Sequence, residues 1–165
     1  MEQKKKIIGI TGGVGAGKSS VLAVLKEDFG AKIILADLVA HDLMEPGSEG
    51  LKKVTEALGT SFLDPDGSVD RKALADVIFR NKDALKPMNS IIHPLVWKTM
   101  AEAAEAAEEQ LVIIEAAVFD TAPKDLFDEL WYVYTTKENR IIRLMANRGY
   151  SREKCEDIIG RQASE

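Results

Sequence analysis

Eight residues near the N-terminus, Gly12 to Ser19, have types and a spacing that suit phosphate chemistry. They match the pattern G-x-x-x-x-G-K-[ST]. Glycines let backbone N–H groups turn towards phosphate oxygens without a Cβ in the way. Lys18 suits the β- and γ-phosphates as a point charge, and the Ser19 hydroxyl suits Mg²⁺ as a ligand. The segment therefore predicts a loop that binds a nucleoside triphosphate. The residues expected to contact it are Gly13, Val14, Gly15, Ala16, Gly17, Lys18, Ser19 and Ser20.

Two predicted strands and one helix position this loop. Residues 6–11 form a short apolar run, which predicts a buried strand directly before the loop. Residues 19–29 carry apolar side chains at helical spacing and are followed by Gly30. A second apolar run covers residues 32–36. Strand, glycine loop, helix and strand in this order predict a βαβ unit of a parallel sheet, with a right-handed crossover.

The rest of the chain predicts an α/β fold of the P-loop kinase type, with three layers and a parallel sheet. Helices are expected at residues 38–44, 50–58, 71–79, 84–110, 137–147 and 151–162, and strands at residues 111–115 and 131–135. We expect a single domain with its core at about residues 6–37 and 111–165. A helical, substrate-binding insertion would cover about residues 38–110, and a short lid about residues 140–152.

Asp37 is the candidate general base. It follows the second predicted strand, and open α/β sheets bind their ligands at this edge. A carboxylate there can accept the proton of an attacking hydroxyl, which contributes roughly 10² to 10⁴ in rate. A helix N-cap is an equally good interpretation, because Asp37 precedes residues with helical character.

Glu115 and a group of arginines are candidate partners of the phosphates. Glu115 ends the third predicted strand, which is typical of a carboxylate that holds Mg²⁺ directly or through water. A solvent-facing strand end is the alternative. Arginines in a closing lid commonly contact the phosphates. We favour Arg148 because it precedes Gly149, although a solvated helix face would show the same pattern. The four arginines of this region are Arg140, Arg143, Arg148 and Arg152.

Two further motifs bear on a guanine-nucleotide switch. The segment Asp64-Pro65-Asp66-Gly67 matches D-x-x-G but follows no clear strand, so it indicates a turn. Residues 81–84 read Asn-Lys-Asp-Ala, with Ala84 where the guanine-reading motif N-K-x-D requires Asp. These observations disfavour the switch. A different nucleoside or nucleotide kinase and a non-catalytic nucleotide-binding module stay open as alternatives, since all of them share the loop.

The composition of the chain limits which binding partners and which cellular compartment we expect. The 165 residues carry a formal net charge of -5, with a pI near 5.2, so no broad surface for nucleic acid is expected. One cysteine excludes an intramolecular disulfide and suits a reducing cytosol. No apolar stretch approaches the roughly 18 residues that span a membrane. We expect a soluble, cytoplasmic protein without a membrane partner; the sequence does not predict its oligomeric state.

Five segments, taken in order, resemble the dephospho-CoA kinase family. They are residues 10–19, residues 36–41, Glu45-Pro46-Gly47-Ser48, residues 66–71 and His93-Pro94, and the likeness runs from about residue 7 to residue 162. The resemblance implies ATP-dependent phosphorylation of the ribose 3′-hydroxyl of dephospho-CoA, the last step of coenzyme A biosynthesis.

The resemblance also implies roles for single residues. Asp37 becomes the catalytic base, beside Lys18 and Arg148. The substrate ligands that the resemblance implies are Asp37, His41, Arg71 and His93. The motifs described above, and not the resemblance, predict that Arg143 and Arg148 contact ATP and that Ser19 and Glu115 bind Mg²⁺. His93-Pro94 has a second interpretation, the shaping of a helix start.

The chain departs from the family pattern in three places. Residues 115–120 read Glu-Ala-Ala-Val-Phe-Asp where the family often has Pro-Leu-Leu-x-Glu. Asn147-Arg148-Gly149 shifts the lid arginine by one position. Family members usually continue beyond the position of Glu165, so we expect a truncated C-terminal end.

Overall fold

The computed structural model describes residues 4–80 and 85–162 and has the expected α/β fold. The strands are β1 (Lys6–Gly12), β2 (Lys32–Leu35), β3 (Leu111–Glu115) and β4 (Glu129–Val133). The helices are α1 (Lys18–Glu27), α2 (Ala36–Asp42), α3 (Glu49–Leu58), α4 (Arg71–Arg80), α5 (Leu85–Ala106), α6 (Lys137–Arg148) and α7 (Arg152–Gly160). Residues 81–84, which bear on the guanine-reading motif and begin the fifth predicted helix, lie outside the described residues.

The sheet has the strand order β2-β3-β1-β4. β1 pairs in parallel with β3, where Ile10 faces Glu115, and in parallel with β4, where Gly12 faces Val133. β3 therefore separates β1 from β2, although β1 and β2 are consecutive in the chain. As a result, the end of β3, and not the end of β2, lies next to the end of β1, from which the glycine loop leaves.

The sheet and its first helix share one apolar core. Ile10 and Ile113 are fully buried in neighbouring strands, and Leu25 of α1 packs on the same cluster. Strands covered on both faces read as continuous apolar runs, which explains why β1 and β3 were apparent from the sequence.

The helices α6 and α7 form a second cluster beside the loop. Both begin at a capping side chain: Thr136 accepts from the N–H of Asn139, and Ser151 accepts from the N–H of Lys154. α6 is capped at its C-terminal end by Gly149, whose φ of 63° is left-handed and suits glycine. Their cluster consists of Ile141, Leu144 and Cys155, with Val14 of the glycine loop packed against it.

A compact helical unit comprises residues 35–106 with residues 120–123, and the remaining segments form a second compact unit. The helical unit has its own core of Leu51, Val54 and Phe62. Its turn at residues 64–67 is closed by a hydrogen bond of 2.9 Å from the Gly67 N–H to the Asp64 carbonyl, so the interpretation of D-x-x-G as a turn is correct. The expected single domain with its insertion and lid stays a prediction.

Some elements begin or end elsewhere than expected. β4 starts at Glu129 and ends at Val133, two residues early at each end, because its pairing with β1 begins opposite Ile8 at a charged, exposed residue. α5 ends at Ala106 instead of residue 110, since the Gln110 carbonyl accepts from the Lys6 N–H at 2.8 Å in the sheet. α7 ends at residue 160, before Gln162.

Across residues 4–80 and 85–162, no helix combines the length and the apolar composition that a membrane span requires. α5 has 22 residues, but it contains Pro94 and charged residues such as Lys98 and Glu102. The expected compartment stays a prediction.

Candidate functional site

The glycine loop joins the end of β1 to the start of α1 and presents free backbone donors. Gly15 and Gly17 have φ values of 78° and 105°, a left-handed backbone that L side chains rarely adopt. Within the described part of the chain, the N–H groups of Gly15, Gly17, Lys18 and Ser19 donate to no protein acceptor. Together with the positive end of α1 they can surround an anion.

Lys18 and Glu115 lie together at the loop. The Lys18 Nζ donates to the Gly12 carbonyl at 2.6 Å and lies 3.8 Å from the Glu115 Oε1. Both side chains are about four-fifths buried, at 21% and 17% exposure. The pairing of β3 with β1 brings Glu115 to this position. The ammonium group is therefore held at the loop, where it can exchange the Gly12 carbonyl for a phosphate oxygen.

Ser19 and Glu115 offer the hydroxyl and carboxylate oxygens that Mg²⁺ prefers. Ser19 lies exposed in the first turn of α1. Among the described residues, no three His, Cys, Asp or Glu side chains form a group that could hold a metal ion by themselves. The donor set fits a cation that keeps water and takes further oxygens from bound phosphates, which is how Mg²⁺ usually binds.

Of the predicted lid arginines, Arg143 contacts the loop. Its Nη1 donates to the Ala16 carbonyl at 2.9 Å and to the Gly15 carbonyl at 3.4 Å. Arg148 is exposed at the end of α6 and makes no hydrogen bond or ion pair within residues 4–80 and 85–162. The structure therefore brings Arg143 to the phosphate loop, while the role of Arg148 stays a prediction.

Arg152 is engaged by a carboxylate. Its Nη1 and Nη2 donate to the two carboxylate oxygens of Glu138, at 3.0 and 2.6 Å. The hydrogen bonds from Arg152, followed by its charge, lower the pKa of Glu138, and the same contact raises the pKa of Arg152. This fork joins the first turns of α6 and α7.

Arg140 is one of the four candidate arginines but was not assigned to a site from the sequence, and it lies against the loop. The residue is 4% exposed, and its Nε donates to the Val14 carbonyl at 2.9 Å. Its Nη2 donates to the Gln162 Oε1, which also accepts from the Val14 N–H at 3.1 Å. Helical spacing is the sequence signal that could have indicated its burial, because Arg140 lies one turn before Leu144 on the buried face of α6.

Within the helical unit, Asp37, His41 and Arg71 line one cavity of about 440 Å³. Asp37 and His41 are one turn apart on α2, and Arg71 is the first residue of α4. His41 Nδ1 lies 3.4 Å from the Glu45 Oε1. The cavity thus combines a carboxylate, an imidazole and a guanidinium, which can orient a hydroxyl and bind phosphates.

His93 lines a different cavity of the helical unit, of about 560 Å³, with Trp97 and Lys98. The Trp97 Nε1 donates to the Thr121 Oγ1 at 3.1 Å there. Three of the four predicted substrate ligands therefore share a cavity, and the fourth does not line it.

Two alternatives from the sequence are wrong. Asp37 is not the N-cap of α2, because the helix begins at Ala36 and its cap position is Leu35, without a side-chain bond. His93-Pro94 does not shape a helix start, because Pro94 lies inside α5. Proline lacks an N–H, so the α5 ladder loses the bond that residue 94 would donate to Ser90.

Comparisons with known proteins agree on one family. The family model described as dephospho-CoA kinase matches residues 6–165. The chain is similar to the dephospho-CoA kinase of Carboxydothermus hydrogenoformans, with 38% identity over 90% of this chain and 74% of the relative. It is similar to that of Geobacter sulfurreducens, with 36% identity over 94% of this chain and 81% of the relative.

Solved structures support the same fold. The crystal structure of TT1252 from Thermus thermophilus has a TM-score of 0.74 and 30% identity, and the match covers 97% of this chain and 81% of that one. A dephospho-CoA kinase from Campylobacter jejuni has a TM-score of 0.66 and 21% identity, with 96% and 80% covered.

Proposed function

This chain belongs to the dephospho-CoA kinase family, and we propose that its glycine loop holds ATP while the Asp37 cavity holds dephospho-CoA. The enzyme phosphorylates dephospho-CoA at the expense of ATP, in the biosynthesis of coenzyme A. The assignment of the loop to ATP binding rests on one observation: its N–H groups without a protein acceptor in the described part of the chain lie beside the Lys18 ammonium group.

On the donor side, the loop N–H groups and Lys18 bind the β- and γ-phosphates. Lys18 leaves the Gly12 carbonyl and turns its ammonium group to the phosphates, where negative charge accumulates during transfer. Arg143, which contacts the loop carbonyls through Nη1, is placed to add a second cation. Arg148 is proposed as a further lid arginine, because it adjoins the glycine that ends α6.

Ser19 and Glu115 would hold Mg²⁺. The metal ion, when bound, neutralises charge on the β- and γ-phosphates. Its presence is an inference from the oxygen donors of these two residues and from the phosphate chemistry.

On the acceptor side, Asp37 orients the ribose 3′-hydroxyl of dephospho-CoA and accepts its proton on a carboxylate oxygen. The hydroxyl oxygen bonds to the γ-phosphorus of ATP while the bond to the β,γ-bridging oxygen breaks. Arg71 and His41 line the same cavity and suit the phosphates of the acceptor. His93, in the second cavity, is proposed to contact a part of dephospho-CoA away from the reacting hydroxyl.

The test is product formation by the protein with Mg-ATP and dephospho-CoA. Mass spectrometry should show the mass increase of one phosphoryl group, and coupling of phosphorus to the ribose 3′ proton in NMR spectra should place the phosphate on the 3′ oxygen. Nucleosides and nucleoside monophosphates, supplied as alternative acceptors, should react at least about 100-fold more slowly, since a site built for polar contacts rejects analogues that lack them. If the protein binds ATP but forms no coenzyme A, dephospho-CoA is not its phosphoryl acceptor. If a nucleoside reacts faster than dephospho-CoA, that nucleoside is the better candidate for the acceptor.

A further inference from the structure

Both backbone polar groups of Val14, its N–H and its carbonyl, form hydrogen bonds with residues outside the loop. Its carbonyl accepts from the Arg140 Nε at 2.9 Å, and its N–H donates to the Gln162 Oε1 at 3.1 Å. The same Oε1 accepts from the Arg140 Nη2. Val14, Arg140 and Gln162 thus form a closed hydrogen-bonded triangle, which we call the loop brace.

The brace brings a permanent charge into the protein. Arg140 carries its guanidinium charge into the protein, since the residue is only 4% exposed. A buried charge is costly unless hydrogen bonds compensate it, and the Val14 carbonyl and the Gln162 amide oxygen are two of the acceptors that do so. The energy of the charged group therefore depends on where the loop lies.

Gly13 belongs to the same arrangement. A Cβ at Gly13 would overlap the Arg140 guanidinium, although Gly13 has no left-handed φ that would require glycine by itself. The glycine at this position leaves room for the brace, in addition to any role towards phosphate.

The brace leaves the ligand-facing donors free. It uses the N–H of Val14, whereas the N–H groups of Gly15, Gly17, Lys18 and Ser19 have no protein acceptor within the described residues. A loop held in its binding shape before the ligand arrives loses less conformational freedom on binding.

We infer that Arg140 and Gln162 are positioning residues that pre-form the glycine loop and thereby set its affinity for the triphosphate. This inference rests on the proposed binding of ATP by the loop, but not on the identity of the acceptor. It places the support of the donor site in α6 and in the residues directly after α7, far from the loop in sequence.

The experiment compares Gln162→Met, which removes the acceptor oxygen at similar length, with Arg140→Lys, which keeps the charge but not the fork. Inorganic tripolyphosphate and Mg-ATP are the probes, titrated calorimetrically. Both variants should weaken binding by about 10-fold, since a hydrogen bond to a charged group and one loop contact are lost. In steady-state kinetics the KM for ATP should rise while the KM for dephospho-CoA stays within about two-fold, the margin of an untouched site.

Arg161→Met is the matched control, because Arg161 adjoins Gln162 and carries a charge but pairs with Asp157 at 2.9 Å. It should bind both probes like the unaltered protein. Hydrogen exchange at the Val14 amide should accelerate in Gln162→Met and stay unchanged in Arg161→Met. This comparison of Val14 amide exchange between Gln162→Met and Arg161→Met tests the loop brace even if Arg140→Lys fails to fold.

Equal affinities of the unaltered protein and Gln162→Met for tripolyphosphate would overturn the brace alone. A similar loss of affinity for dephospho-CoA in that variant, or in Arg161→Met for tripolyphosphate, would do the same, since it would indicate a general structural effect. Absence of binding by the unaltered protein would instead overturn the phosphate loop and the brace together.

Discussion

The glycine loop and the Asp37 cavity are built in opposite ways. The loop carbonyls accept hydrogen bonds from Lys18, Arg140 and Arg143, and the Val14 N–H donates to Gln162. Those loop N–H groups that have no acceptor among the described residues are offered as donors. In the cavity, Asp37 is an exposed side chain without a hydrogen bond or ion pair within residues 4–80 and 85–162. The proposed donor site is thus shaped before ligand binding, whereas the proposed acceptor site holds its carboxylate on a side chain that makes no such contact.

This difference predicts separable phenotypes. Changes at the loop should affect ATP and leave dephospho-CoA binding intact, and changes in the cavity should do the reverse. A variant that affects both ligands equally would break the comparison.

Asp37→Asn should have the largest effect. The amide cannot accept the hydroxyl proton, so kcat should fall by roughly 10² to 10⁴ while the Kd for ATP stays unchanged. Asp42→Asn, on the same helix and highly exposed, is the control and should keep kcat. Single-turnover kinetics with calorimetry decide the matter. Turnover within a few-fold of the unaltered enzyme would remove Asp37 from its role as base.

Lys18→Ala should follow, with a fall in kcat/KM of about 10² to 10³, the loss expected when one preorganised donor to developing charge is removed. The Kd for ATP should rise, and the Kd for dephospho-CoA should not. Lys26→Ala, in the last turn of α1, tests the effect of losing a positive charge on that helix. Unchanged ATP affinity in Lys18→Ala would contradict the assignment of the loop.

Glu115→Gln addresses the metal ion. The Mg²⁺ concentration for half-maximal turnover should rise about 10-fold, because one charged oxygen ligand is lost. Chelation of Mg²⁺ should stop turnover in both proteins. Glu108→Gln serves as the control outside the site. An unaltered Mg²⁺ requirement would indicate that Glu115 only pairs with Lys18.

Arg71→Ala should weaken dephospho-CoA binding by about 10-fold, the loss of one hydrogen bond to a charged group. The Kd for ATP should stay the same, as it should for both ligands in Lys72→Ala on the same helix. Titration calorimetry with each ligand gives the answer. A loss confined to ATP would place Arg71 on the donor side and reverse the comparison.

Asp128→Asn should have the smallest effect, on stability alone. The Asp128 carboxylate accepts from the Ile7 N–H at 2.8 Å and from Lys4, which lowers its pKa below the usual 3.8. A lowered folded pKa means that the stabilisation is present above the usual value and is lost as the pH falls through the lowered one. Thermal melts should therefore show a deficit of the variant at pH 7 that shrinks below pH 4. A constant deficit would exclude this linkage.

Features that depend on neighbouring residues in the sequence were predicted, whereas features that depend on contacts between distant segments were not. The loop, β1 and β3 were predicted because their pattern is local: glycines at fixed spacing and continuous apolar runs. The bounds of β4 were missed, since an exposed strand that begins at Glu129 shows no such run. The order of the strands in the sheet was also not predicted from the sequence, and therefore neither was the contact of Glu115 with Lys18.

The brace was unpredictable for the same reason. Arg140, Gln162 and Val14 meet only after α6 and α7 fold against the loop, and nothing in their spacing distinguishes a buried arginine from a solvated one. The sharing of a cavity by Asp37 and His41 is partly local, as they are one helical turn apart. Arg71 joins them through the packing of the helical unit.

Hydrogen exchange with ligands, read by mass spectrometry, tests the division into donor and acceptor sites most directly. A non-hydrolysable ATP analogue should slow exchange at residues 13–20 and leave α2 unchanged. Dephospho-CoA alone should slow exchange at residues 37–46 and 68–74 and leave the loop unchanged. Protection of the loop by dephospho-CoA alone, or of residues 37–46 by the ATP analogue alone, would contradict the account.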